Sequence, residues 1–524
     1  MPSIPGIFCL KLQKILINEK KDFMNINLKV CELIYYAKVH LDLKCDDELF
    51  VYNALSSLLK INDPKLMDID KNFIESLKVP DEIINPIGDY AVQNNLCENL
   101  LKANFECAVM GIVTNPPSEV IAKFNKLYKE SVQSACNYLY TLSMKNNYIH
   151  YTAIQKNLYW KADFEENYIE VTVNLSKPEK DNKEIAKIKS MPQGGYPLCV
   201  LCLENVGFSG DYNKAARQTL RTVPLTLNNE EWFMQYSPYL YYDEHCIIIN
   251  KKHVPMNVNE GTFKKLFDFV DLFPHYFVGS NASLPIVGGS ILNHEHFQGG
   301  LHLLPMHFSK NRVVFKIKNA EISILDWYNS VVRIVSDDKK QILKTAEKIF
   351  SAWGSYSNEK AGILAKTDVR HNAITPILLK NKDRYVLDII LRNNRTSKEH
   401  PDGIFHAHKQ YHGIKKEGIG LIEAMGLFIL PGRLKEEMEI IADYLTGAHK
   451  YDEEELQQNV HQDAIKTLLR KYPVPQQKAD ADKIVKRYVS EVCKNILECT
   501  AVFKNTKDGQ QAFVEFLSFA KIIN

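Results

Sequence analysis

Gly288-Gly289-Ser290-Ile291-Leu292-Asn293-His294-Glu295-His296-Phe297-Gln298-Gly299-Gly300 is the most chemically loaded stretch of the chain. Read as extended backbone, residues 294–298 put His294, His296 and Gln298 on one face, because strand side chains alternate. The glycine pairs at both ends would let a phosphate approach the backbone closely. A neutral imidazole is a good nucleophile toward phosphorus, and a histidine–phosphorus intermediate divides one displacement into two easier ones. The plainer reading is a buried or loop pair of histidines. With 16 histidines in 524 residues, a His-x-His-x-Gln is expected by chance on the order of 0.01–0.02 times in such a chain, and this favours chemistry.

Working outward, residues 191–433 mix Gly, Asn, His and Pro with short β-branched runs: CIIIN (246–250), RVVFKI (312–317) and YVLDIIL (385–391). Two helices are predicted among them, near Gly261–Phe273 and Ile342–Trp353. Strands of antiparallel character interrupted by helices define an α+β class for this core. Residues 24–190 read as mostly helical, with Val30, Leu33, Ile34 and Ala37 at helical spacing and a helix from Ser118 that tolerates Pro116 and Pro117 at its start. One strand, Tyr168–Leu175, breaks this region, and KPEKDNKE from Lys177 reads as a solvated linker. Residues 434–524 return to helices with apolar stripes, two of them separated by Pro473–Pro475. Residues 1–23 read as an N-terminal extension ahead of the cleaner amphipathic pattern that Met24 opens. No repeat of period 20–50 is visible.

The second signal is Cys199-Val200-Leu201-Cys202. A Cys-x-x-Cys turn aims two thiolates at one tetrahedral metal but supplies half of a zinc site; redox chemistry or two inert thiols are the alternatives. His253 and His294 would complete a Cys2His2 set, with His245 as a substitute for His253. Such a metal would be structural and would hold the strand that carries His296. The third signal is the run 392–432, with His400, a second His-x-His at His406 and His408, His412, and the basic residues Arg395, Lys415 and Lys416. Its plainer reading is a histidine-rich surface loop. Arg217, Arg221 and Arg370 are further candidates for phosphate, whose geometry suits the guanidinium fork.

Length predicts roughly two to four domains. With 65 basic against 63 acidic residues and a formal charge of +2, the chain lacks the concentrated positive field that nucleic acid or an anionic membrane surface requires. No apolar run reaches the length of a membrane span, and the N-terminus lacks the charged region of a signal peptide. Eleven scattered cysteines suit buried thiols or ligands in a reducing compartment. The expectation is a soluble cytoplasmic protein. P-loop, Rossmann, zincin and α/β-hydrolase signatures are missing.

CVLCLENVGFSGDYNKAARQTLRTVPLTL, WFMQYSPYLYYDEHCIIINKKHVPM, GGSILNHEHFQGG, HNAITPI and LRNNRTSKEHPDGIFHAHKQYHGIKKEGIGLIEAMG resemble the class II bacterial galactose-1-phosphate uridylyltransferases, within the histidine-triad superfamily. The resemblance runs from about Met24 to the C-terminus and implies a histidine-triad-like antiparallel sheet core. It implies further that His296 takes UMP from UDP-glucose, releasing glucose 1-phosphate, and hands it to galactose 1-phosphate to give UDP-galactose. Gln298 would bind a non-bridging oxygen, and Arg217, Arg221 and Asn281 would neighbour phosphate. Similarity to class I relatives implies structural zinc on Cys199, Cys202, His253 and His294, and a second metal site that includes a His-x-His such as His406 and His408. Glu423 resembles a hexose-contacting glutamate that reaches a partner subunit's site, which implies a homodimer. The chain departs from the family pattern at Tyr328, at Ala407 and at Lys214. The rival readings are a histidine-triad phosphorylase or hydrolase of nucleoside polyphosphates, a non-catalytic zinc-stabilised nucleotide or RNA binder, and a redox protein using Cys199 and Cys202.

Overall fold

The computed structural model describes residues 25–176, 195–289 and 291–523. The proposed extension, residues 1–23, and the linker from Lys177 lie outside them. Two compact units emerge: one takes in residues up to Val120 with Thr141–Tyr148 and Asn205–Leu220, the other Ile121–Tyr140, Ile149–Glu204 and Arg221–Asn524.

The first unit is helical. Its helix Ile26–His40 starts where the Asn25 side chain accepts the amides of Asn27 and Leu28, and it buries Val30, Leu33, Ile34 and Ala37. That is the apolar stripe the spacing predicts.

Among the described residues the second unit holds every strand. β1 (Leu158–Phe164) and β2 (Asn167–Asn174) form a hairpin, and β13 (Leu427–Pro431) joins β2 in parallel. The expected strand at 168–175 is therefore β2, and β1 is an addition. Burial along β1 alternates, but the apolar Tyr159 on its exposed side makes Leu158–Trp160 an unbroken apolar run in the sequence.

The larger sheet runs β3 (Val223–Leu227), β4 (Glu230–Tyr236), β5 (Cys246–Asn250), β7 (His296–Gly300), β6 (Phe277–Gly279), β11 (Asn372–Asn381), β12 (Arg384–Asn393), β10 (Val331–Ser336), β9 (Ala320–Leu325), β8 (Asn311–Ile317), antiparallel throughout. The architecture is α+β. The sheet is duplicated. Three strands, a helix (Glu260–Leu272) and two strands, the last inserted before its partner, make one half. The same order, with the helix Lys339–Ser355, makes the other, and β6 pairs with β11 at the seam.

The first helix begins one residue before its expected start and the second three residues before, at Lys339. A capping box links Asn259 and Thr262 in the first, and Asp338 accepts two amides in the second. The C-terminal region supplies Leu434–Thr446, Glu453–Gln457, Gln462–Lys471, Lys478–Thr500 and Lys507–Phe519. Glu453–Gln457 and Gln462–Lys471 are separate helices, broken where the Asn459 side chain accepts the His461 amide. Among the described residues no helix is long and apolar enough to cross a membrane.

Candidate active site

β7 begins at His296, so His294 lies just ahead of the strand and not within it. The segment leading into the strand places the His294 ring against the Cys199–Cys202 turn. Cys199 Sγ and Cys202 Sγ are 3.6 Å apart, and His294 Nδ1 lies 3.2 and 3.7 Å from them. His253 Nδ1 is 3.1 Å from Cys202 Sγ. Tetrahedral zinc with bonds of about 2.0–2.3 Å sets ligand atoms roughly 3.5–3.8 Å apart, so this donor set fits such an ion with small adjustment. The four residues are the one grouping among the described residues suited to a metal. His294 Nε2–H donates to the Asn250 carbonyl at 2.8 Å, which turns the Nδ1 lone pair toward the thiolates. Of the two alternative histidines, His253 joins the cluster.

His296 faces a different task. Its Nδ1–H donates to the His294 carbonyl at 2.8 Å, which leaves Nε2 as the nitrogen with a lone pair for chemistry. Burial lowers its pKa to about 4, so the ring is neutral near pH 7. Two residues on, the Gln298 carbonyl oxygen accepts from His245 Nε2 at 3.0 Å, and the Gln298 amide nitrogen remains as a donor. His245 is buried and, by that burial, held neutral with a pKa of about 4. Sequence reasoning weighed His245 as a metal ligand; its contact is with Gln298, because it stands one residue before β5 and β5 pairs with β7 at Ile247–Gln298.

The flanking glycines serve protein contacts. A Cβ on Gly299 would lie 2.4 Å from the Phe277 carbonyl, and one on Gly289 would lie 2.7 Å from Asn281 Nδ2. Asn281 is buried and its Oδ1 accepts the Leu421 amide at 2.7 Å. It thereby ties this loop to the turn Leu421–Ala424, which carries Glu423. Glu423 Oε1 accepts from Lys415 Nζ at 3.1 Å. Trp327 and Asn329, flanking the departure at Tyr328, both donate to the Ala424 carbonyl.

Arg221 is buried in this unit just ahead of β3. Arg217 belongs to the helical unit, where its guanidinium lies over the Tyr148 ring. The second His-x-His does not converge: His408 Nε2 bonds the Ile404 carbonyl and its ring stacks on His400 at 4.0 Å, while His406 is buried apart. Arg370 and Arg395 bond the Asn372 and Gly362 carbonyls.

In this α+β unit a buried, neutral histidine stands at the start of a central strand, beside a Cys2His2 cluster. The chain belongs to the galactose-1-phosphate uridyl transferase family. The family's N-terminal domain model matches residues 59–255 and its C-terminal domain model residues 268–466. The chain is 44% identical over 484 residues to the galactose-1-phosphate uridylyltransferase of Caldanaerobacter subterraneus, covering 89% of this chain and 93% of that one. For the Fusobacterium nucleatum protein of the same name the identity is 43%, covering 94% and 99%, and for that of Bacillus subtilis 42%, covering 90% and 93%. The solved structure of yeast Ap4A phosphorylase Apa2 overlaps at a TM-score of 0.30 and 11% identity, over 56% of this chain and 89% of that one, too distant to bear on the argument.

Proposed function

We propose that this protein exchanges UMP between UDP-glucose and galactose 1-phosphate in two displacements at His296. The observation that carries the reading is the tautomer geometry: Nδ1–H held by the His294 carbonyl, Nε2 available. Nε2 attacks the α-phosphorus of UDP-glucose, a P–N bond forms, and the bond to the glucose 1-phosphate oxygen breaks. The His294 carbonyl stabilises the charge that develops on the ring. A phosphate oxygen of galactose 1-phosphate then attacks the same phosphorus, and the electron pair of the P–N bond returns to Nε2. Both leaving groups depart without protonation, so positioning dominates. The Gln298 amide, oriented by His245, donates to a non-bridging oxygen of the uridylyl group, and Arg221 and Asn281 belong to the phosphate neighbourhood.

Zinc is the metal that two thiolates and two imidazoles favour. Four protein ligands leave no open position, so its contribution is to hold the His294–His296 segment. A cytoplasmic compartment, where thiols stay reduced, agrees with that site. Dimerisation through the Glu423 region completes the reading, and sedimentation velocity measures it.

The test is a half-reaction with UDP-glucose and no acceptor, at protein concentrations comparable to the nucleotide. Release of glucose 1-phosphate near one per site is expected. His296→Ala should reduce the rate on the order of 10⁴-fold or more, and galactose 1-phosphate should make the wild type turn over. Continuous release without acceptor would point to a hydrolase, and equal release by wild type and variant would remove His296 from the mechanism.

A further inference from the structure

The residue between the metal ligand and the nucleophile, Glu295, turns to the opposite face of the sheet and is buried there. Its Oε1 lies 2.9 Å from the Nζ of Lys265, a buried lysine on the helix Glu260–Leu272. Lys265 also pairs with Glu230 Oε2 at 2.9 Å, at the start of β4, and lies over the Trp232 ring. Trp232 in turn stacks on Phe297, the residue after the nucleophile, at 4.8 Å. The other Glu295 oxygen accepts from Asn250 Nδ2 at 2.8 Å, and the Asn250 amide donates to the Glu295 carbonyl at 3.0 Å. Asn250 is the residue whose carbonyl orients His294. Val254 closes the set by accepting the Glu295 amide at 2.7 Å.

The segment 294–296 is therefore gripped from two sides: by the Cys2His2 cluster on one face and by a buried ion pair on the other. A lysine and a carboxylate removed from water incur a desolvation cost that apolar side chains of similar volume would avoid. What the pair supplies and an apolar contact does not is direction: two fixed oxygens, each bonded to a different element, define both the position and the rotation of residue 295.

We infer that Lys265 and Glu295 are positioning residues for the uridylyl transfer, setting the line along which His296 Nε2 meets phosphorus. The inference rests on His296 being the nucleophile. Neither side chain reaches the reacting atoms; they act through the backbone that His296 shares.

The experiment compares Lys265→Met, Glu295→Gln and Lys265→Arg with wild type, and with Lys251→Met, which breaks the exposed Lys251–Glu231 pair on the neighbouring strands. Each folded, metal-loaded variant is assayed for single-turnover uridylylation, KM for UDP-glucose, and deuterium uptake of residues 294–298. Because a displacement of about 1 Å costs about 100-fold in rate, Lys265→Met should lose roughly that factor in kcat with KM changed less than about threefold. Glu295→Gln, which keeps the shape and removes the charge, provides the same comparison if Lys265→Met fails to fold. Lys265→Arg should recover most of the rate, Lys251→Met should match wild type, and uptake at 294–298 should quicken in Lys265→Met alone among these lysine variants. Folded Lys265→Met or Glu295→Gln with wild-type kcat and wild-type uptake overturns the inference. If wild type itself transfers no uridylyl group, the reading of His296 fails separately, and the uptake comparison still decides whether the pair holds the segment.

Discussion

His245 shows how a side chain outside the proposed reacting set can orient one within it. It is ringed by Tyr241 and Tyr242, its Nε2–H orients Gln298, and its buried Nδ1 has no hydrogen-bond partner. His245→Phe keeps an aromatic ring and removes that unpaired nitrogen together with the bond to Gln298, two effects of opposite sign, so the melting temperature should change little. The same change frees the Gln298 amide to rotate, and losing one neutral hydrogen bond of about 1 kcal/mol corresponds to roughly 5- to 10-fold in the rate of uridylylation. Single-turnover kinetics beside a thermal melt separate the two effects; a wild-type rate would show that Gln298 needs no orientation. At this scale the sequence singles out candidates where the spacing is local. His294, His296, Gln298 and the Cys199–Cys202 turn declare themselves within a few residues, and His253 and His294 meet that turn in the structure. His245, Asn250 and Lys265 do not, because their roles depend on the pairing of β5 with β7 and on which helix face meets the sheet.

Elements follow the same division. β5 and β12 stand out as β-branched runs, and the helices Glu260–Leu272 and Lys339–Ser355 are announced by the capping residues Asn259 and Asp338. The β3–β4 hairpin was missed although its signal is local: Asn228 and Asn229, both with positive φ, form a two-residue turn between the strands. β13 has no such signal, since its pairing with β2 spans more than 250 residues. One contact between elements titrates. His302, two residues beyond β7, bonds Glu170 of β2 at 2.9 Å, and this bond, working against burial, raises its pKa above the ordinary 6.5. A histidine whose folded pKa is raised contributes stability that is complete below about pH 6.5 and is lost as the pH climbs through the raised value. His302→Gln should therefore melt below wild type by the widest margin near pH 5.5, with the gap narrowing toward pH 8.5. A gap that is constant or widens with pH would remove the ion pair from the account.

For the whole molecule, the duplicated sheet raises the question of why one half holds the proposed site. The register answers it. Gln298 pairs with Gly279, Gly279 with Ile377, and Ile377 with Asp388, so Gln298 and Asp388 hold corresponding places in the two halves. Asp388 is consumed by Arg333, which bonds both its oxygens at 2.7 and 2.8 Å, and β12 carries no histidine. Sequence periodicity could not reveal the duplication, because the halves share topology and not residues. The Cys2His2 cluster likewise adjoins the first half alone, where a bound metal would crosslink positions 95 residues apart (Cys199–His294) and 51 apart (Cys202–His253). Closing loops of that size removes unfolded-state entropy worth about 4 kcal/mol by analogy with disulfides. Chelation should accordingly lower the melting temperature by roughly 4–5 °C and abolish the half-reaction, and one zinc per chain should restore both. Cys202→Ser should reproduce the chelated state without added chelator. A metal-free protein with wild-type melting temperature would show that the sheet alone holds His296 in place. Lost activity at unchanged stability would instead assign the ion a part in the chemistry that its four protein ligands argue against.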